Sequence, residues 1–127
     1  VYKRQGNDIT LVTWGALVQK SIEASKNTSF SVEIIDMRTL NPLDFESIIK
    51  SIKKTSRLIV AHEDNLTGGF GAEIVSRISD FAFEYLDAPV KRVGSKDSPI
   101  AYAQNLEDEI LVQVDWIVDC LNEVGNY

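Results

Sequence analysis

Three polar residues in succession, His62, Glu63 and Asp64, follow the apolar run Leu58 to Ala61 and precede a glycine-rich turn, Gly68-Gly69-Phe70-Gly71. An imidazole beside two carboxylates is capable of general acid–base work or of a pH-sensitive pairing. Glycines ahead of a helix can present backbone amides to a phosphate. The turn, however, fits neither a dinucleotide fingerprint nor a phosphate loop, because no lysine follows Gly71. Glu73 stands in the first turn of the expected helix, at the positive end an anion would want. Tight turning and close packing are therefore the favoured reading of these glycines.

His62 is the only histidine in the chain. A metal site would need further ligands at workable spacing, and Asp64 and Cys120 do not provide them. No serine or cysteine occupies a nucleophile elbow. A histidine hydrogen-bonded at a sheet end or at an interface is the weightier alternative to a proton shuttle. From the residues alone, no catalytic set and no metal ligands are expected.

The elements that must position these residues alternate between strand and helix. Val1 to Gln5, Ile9 to Trp14, Phe30 to Asp36, Leu58 to Ala61 and Val90 to Gly94 carry strand patterns. Ala16 to Lys26 is a helix with a weak stripe. Asp44 can cap a helix whose face is Phe45, Ile48, Ile49 and Ile52, and whose last turns carry the solvated cations Lys50, Lys53 and Lys54. Ile74, Ile78, Phe81, Ala82 and Tyr85 mark a longer helix ended by Asp87-Ala88-Pro89, with Glu73 and Arg77 spaced for an ion pair. Ser95 to Gln104 reads as irregular, with Tyr102 as an anchor. A terminal helix buries Val114, Ile117, Val118, Leu121 and Val124. The result is an α/β domain, three layers α/β/α around a mostly parallel five-stranded sheet. In such sheets ligands and partners gather at the carboxyl ends of the strands, where His62 lies.

Bulk composition narrows the function classes. The 127 residues suffice for one core. A net charge of −6 disfavours nucleic-acid backbones as partners. Apolar runs stay well short of a membrane span, and the single cysteine, Cys120, fits a reducing compartment. The abrupt start at Val1-Tyr2-Lys3-Arg4 suggests a fragment of something longer.

Several motifs in register carry a family resemblance. Asp8-Ile9-Thr10-Leu11-Val12-Thr13-Trp14-Gly15 and Val32-Glu33-Ile34-Ile35-Asp36-Met37-Arg38-Thr39-Leu40-Asn41-Pro42-Leu43-Asp44 are followed by Leu58 through Glu63, Gly69, Gly71-Ala72-Glu73-Ile74, Leu86-Asp87-Ala88-Pro89-Val90 and Arg92-Val93. Over nearly the whole of residues 1–127 the chain resembles the carboxy-terminal domain of the transketolase superfamily. It is most similar to the β part of the E1 component of 2-oxoacid dehydrogenase complexes. His62-Glu63 with Leu66-Thr67-Gly68-Gly69-Phe70 resembles the branched-chain type more than the pyruvate type.

The resemblance implies a first strand antiparallel at one edge, beside the third, with the second and fourth strands adjacent. It implies that thiamin diphosphate and magnesium belong to the intact enzyme, between preceding domains, and that this fragment binds no cofactor. It further implies an enzyme that decarboxylates a 2-oxo acid and acylates a lipoyl group, in the cytoplasm or the mitochondrial matrix. The implied partners are the preceding thiamin-binding domains, the dimer mate and the subunit-binding domain of the acyltransferase (E2). Trp14, His62, Glu63, Asp64 and Phe70 then share one rim, expected to be an interface rather than a pocket, and Asp87 is the expected acyltransferase contact. The reading from a different class is a stand-alone flavodoxin-like nucleotide-binding or regulatory module.

Overall fold

A computed structural model describes residues 2–99 and 103–127. The sheet has five strands in the order β1-β3-β2-β4-β5: β1 (Tyr2–Arg4), β2 (Ile9–Thr13), β3 (Val32–Asp36), β4 (Leu58–Asn65) and β5 (Lys91–Ser95). Only β1 runs antiparallel, at the edge beside β3, and β2 lies directly against β4. This is the topology expected from the resemblance.

Every residue of β2 and β3 is buried, as parallel strands covered on both faces require. On one face, helices α1 (Leu17–Ser25) and α5 (Val114–Gly125) pack over Ile9, Leu11, Ile34 and Ile59. On the other, α2 (Phe45–Thr55) and α3 (Phe70–Phe81) pack over Val12, Ile35, Leu58 and Val60. Asp44 caps α2, its carboxylate accepting from the Ser47 hydroxyl at 2.6 Å and from the Ser47 N–H at 3.3 Å, which together hold its pKa below the usual carboxylate value. Glu73 and Arg77 form the expected pair at 3.2 Å. Among the described residues no helix is long and apolar enough to cross a membrane.

Three expectations need correction, and one helix was not foreseen. The fourth strand does not stop at Ala61 but continues to Asn65, because β5 keeps pairing with it up to Ser95. Helix α3 ends at Phe81 rather than at the Asp87-Ala88-Pro89 stop. Ala82, at φ −138°, leaves the helical range, and Phe83–Tyr85 form a separate single turn. Phe81 is consequently 70% exposed, resting edge-on against Phe45 at 6.1 Å instead of filling the core. Within the stretch after β5, a short helix α4 begins at Gln104 and runs to Ile110. It buries nothing, so the sequence offered no apolar stripe from which to read it. Tyr102 and its anchoring role lie outside the described residues.

Candidate functional site

The carboxyl end of β4 is irregular in a way that places His62. Between the Ala61–Val93 and Asn65–Ser95 pairs, β4 advances four residues while β5 advances two, so β4 carries a bulge at His62-Glu63-Asp64. The bulge divides the three side chains. Glu63 and Asp64 are exposed, whereas His62 is fully buried on the α3 side of the sheet. Its Nδ1 lies 2.9 Å from the Asp64 carbonyl oxygen. A carbonyl can only accept, so Nδ1–H donates and Nε2 carries the lone pair. That Nε2 is buried and has no hydrogen-bond partner among the described residues.

The glycines explain how the ring fits. A Cβ on Gly71 would lie 2.5 Å from Cδ2 and 2.6 Å from Nε2 of His62, and one on Gly69 would lie 2.7 Å from Cε1. Gly94, on β5, meets Cε1 at 2.8 Å in the same way. From the open side the half-buried Trp14 stacks on the imidazole, centroids 5.6 Å apart, and Phe70 meets Trp14 edge-on at 6.3 Å. Burial therefore pushes the His62 pKa below 6.5. The Asp64 carbonyl and carboxylate oppose that shift, and Arg92 reinforces it. The imidazole is thus fully buried, with its neutral form favoured.

The glycine turn is also staked down from β5. Arg92 Nη1 donates to the Leu66 carbonyl at 2.6 Å, and the Leu66 N–H donates to the Ser95 carbonyl at 3.2 Å. The Thr67 N–H reaches Asp97 Oδ1 at 3.0 Å, and the Thr67 hydroxyl donates to the other oxygen of that carboxylate. These bonds keep the Asp97 pKa below its usual value. Ser95 Oγ donates to the Glu63 carbonyl across the bulge.

Of the residues singled out from sequence, the structure brings Trp14, His62 and Phe70 into contact and leaves Glu63 and Asp64 on the outside of the same rim. Asp87 is not part of it. Its N–H bonds to the Ser56 carbonyl, at the amino end of β4, so it lies across the sheet from His62. There it borders a depression of about 490 Å³ with Val75, Phe83, Leu86, Pro89 and Tyr127. Phe83 and Tyr127 are among the most exposed apolar side chains of the domain, at 71% and 72%.

A buried polar network escaped the sequence reading. Glu33, in the middle of β3, is 2% exposed. It accepts from Ser51 Oγ at 2.5 Å, from Lys54 Nζ, and from the Gly6 N–H at 3.5 Å. Ser51 spends its proton on the carboxylate, so Thr10 donates to Ser51 at 2.6 Å; Thr55 Oγ1 lies 2.7 Å from Thr10 Oγ1 and 3.1 Å from the Arg57 carbonyl. Burial by itself would raise the Glu33 pKa, but the bonds from Lys54, Ser51 and Gly6 outweigh it and hold the carboxyl below 4.5. Lys54 is thus not a merely solvated cation at a helix end. The available signal was a charged residue between the apolar Val32 and Ile34 of a strand expected to be buried.

The comparisons with known proteins agree with this geometry. A family model described as the transketolase C-terminal domain matches residues 1–117. The chain belongs to that family. This transketolase C-terminal domain is 40% identical over 127 residues to the pyruvate dehydrogenase E1 component subunit beta of Rickettsia conorii, covering 98% of the chain and 39% of the relative. It is 42% identical to the mitochondrial pyruvate dehydrogenase E1 subunit beta of Saccharomyces cerevisiae, covering 96% and 35%. It is 44% identical over 101 residues to the 2-oxoisovalerate dehydrogenase subunit beta of Pseudomonas aeruginosa, covering 80% and 29%. The domain therefore spans about two fifths or less of the length of these relatives, which include both pyruvate and 2-oxoisovalerate enzymes. A solved split-gene transketolase, an inactive β4 tetramer, shares the fold at TM-score 0.83 and 23% identity, covering 99% of the chain and 41% of that protein.

Proposed function

We propose that this chain is the carboxy-terminal assembly domain of a thiamin diphosphate-dependent 2-oxoacid dehydrogenase E1 β component. It supports oxidative decarboxylation and acyl transfer without supplying a reacting group of its own. The observation that carries the reading is the closure of the His62 rim. The one imidazole of the domain is buried and neutral beneath a glycine turn, while identities of 40–44% tie the chain to E1 and 2-oxoisovalerate dehydrogenase β subunits. Thiamin diphosphate and magnesium belong to the intact enzyme. The residues described here do not fit them: among those residues no group of three or more His, Cys, Asp or Glu can hold a metal ion, and the Gly69 and Gly71 surfaces are taken up by His62.

The rim of Trp14, Glu63, Asp64 and Phe70, held from within by His62, packs on the preceding thiamin-binding domain or on the dimer mate. Aromatic area flanked by exposed carboxylates suits such a boundary. The Asp87 depression, on the opposite end of the sheet, receives the basic subunit-binding domain of the acyltransferase. Two exposed aromatic rings supply anchor area, and the net charge of −6 steers a basic partner.

The deciding experiment pairs the chain with its upstream coding sequence. Joined to the preceding thiamin-binding domains, it should yield a dimer with 2-oxo acid decarboxylase activity. Alone, it should give no saturable heat on calorimetric titration with thiamin diphosphate and magnesium. Saturable binding to the isolated 127-residue chain would overturn the assembly reading.

A further inference from the structure

Imidazoles buried without a partner on one nitrogen are uncommon, because an unmet polar atom in the interior is costly. His62 has such an atom at Nε2, aimed at the main chain of the turn that covers it. In the neutral ring that atom is only a lone pair, which a cramped apolar site tolerates. Once protonated it becomes an N–H donor bearing charge, with no acceptor in reach. Gly71 crowds it, and Gly71 lies in the first turn of α3, the end of a helix that disfavours a positive charge.

We infer that His62 is an acid-operated latch. Protonation at Nε2 expels the ring from beneath the glycine turn, unfastening residues 66–71 and the Trp14 stack while the sheet stays folded. The segment is suited to opening as a unit. Residues 66–69 are held by the His62 packing and by the bonds of Leu66 and Thr67 with Arg92, Ser95 and Asp97, while Phe70 and Gly71 open α3 and lean on Trp14 and the His62 ring. Local openings of this kind draw on the least stable parts of a fold.

The other charged groups of the surrounding elements do not replace the missing acceptor. On β4, Glu63 and Asp64 are exposed, and Asp64 offers its carbonyl to Nδ1 and not to Nε2. On α3, Glu73 is paired with Arg77 on the surface. On β5, Arg92 opposes a positive ring. Asp97 is occupied by Thr67. Trp14, from the end of β2, brings no charge. The latch does not depend on the proposed role in an E1 enzyme, since it concerns the chain by itself.

The test uses the 127-residue chain, in which His62 is the only histidine. The ring is titrated by proton NMR while amide hydrogen exchange is followed at residues 66–71 and in β2 and β3. Exchange rates are corrected for the intrinsic effect of pH. The expected result is a ring midpoint below 6.5, with protection of the bonded Leu66 and Thr67 amides lost through the same midpoint and retained in β2 and β3. Linkage fixes the size: opening increases tenfold for each pH unit by which the midpoint lies below 6.5. His62→Gln, which cannot titrate, should make the exchange of that segment independent of pH. The inference is overturned if the ring titrates with the segment still protected, if strand and segment amides lose protection together, or if the Gln variant keeps the same pH dependence. Should the Gln variant fail to fold, the wild-type titration alone decides.

Discussion

The Trp14 indole lies over the His62 imidazole with the two rings 5.6 Å apart and inclined by only 21°, so the ends of β2 and β4 are joined by a stack. The far side of that imidazole is closed by Gly69 and Gly71. Residues that could have done chemistry are spent on holding a rim together.

This packing reverses a familiar sign. Gly to Ala in a helix normally gains about 0.5–1 kcal/mol. At Gly71, in the first turn of α3, the new methyl would meet the His62 ring at 2.5 Å. Gly71→Ala should therefore destabilise the domain by about 1–3 kcal/mol, the usual cost of overpacking. Urea unfolding at constant m-value measures it. In a His62→Ala background the penalty should vanish, and an equal penalty in both backgrounds would dissociate Gly71 from the ring.

The Glu33 network predicts an acid dependence. Removing the ammonium with Lys54→Met deletes a hydrogen bond to a buried charge and should cost about 1.5–3 kcal/mol near neutral pH. The folded Glu33 pKa lies below its ordinary value of 4.5. Between those two values the unfolded chain binds more protons than the folded one, so stability rises with pH. The contribution is complete above 4.5 and is lost as pH falls through the folded value. The gap between wild type and Lys54→Met should accordingly narrow in acid, as measured by urea midpoints from pH 7 to pH 3.

Burial pushes the Cys120 thiol up to about 12, with Glu123 adding to the shift. From an ordinary value of 9.0 this lowers the thiolate fraction by roughly 10³-fold. A disulfide reagent at pH 8 should label the folded chain slower by at least that factor than a free thiol. Labelling should accelerate only through the urea unfolding transition; rapid labelling without denaturant would contradict the burial of this side chain.

Asp87→Lys places a cation at the edge of the Phe83–Tyr127 depression. Association of the intact enzyme with the acyltransferase should slow, and its salt dependence should weaken. Stopped-flow association rates at two ionic strengths test this, and an unchanged on-rate removes Asp87 from the docking surface.

In the intact enzyme, His62→Ala should lower turnover by about 10-fold, the equivalent of about 1.4 kcal/mol, by loosening the rim. A group that moves a proton would cost on the order of 10² to 10⁴. Steady-state rates and dimer dissociation, measured on one variant, separate the two.

The sequence revealed the architecture well because the signals were local. Fully apolar strands, the Asp44 cap and the stripes of α2 and α5 each declare themselves over a few residues. It was silent on α4, which has no buried face, and it overextended α3, whose end depends on the backbone of Ala82 rather than on a breaker residue. The rim was half visible. The glycines indicated a close approach, but that the approaching group is the His62 ring depends on a bulge in β4, set by pairing with β5. The Glu33 network could not be read from spacing, since its members come from β2, β3 and α2 and meet only after the sheet is assembled.

The helical cover over Ile9, Leu11 and Ile59 is supplied by two helices from opposite ends of the chain, and the Lys20 side chain ties to the Val112 carbonyl across 92 residues of sequence. During synthesis, then, that face of the sheet is covered by α1 alone until α5 has been made. A nascent chain halted before Val114 carries four parallel strands and an apolar surface lacking the α5 half of its cover, the kind of species that chaperones retain and that aggregates when they do not. The twelve residues of α5 bring Ile117, Cys120, Leu121 and Val124 to close that surface, so exposure of the sheet during synthesis is set by the position of this one helix in the chain.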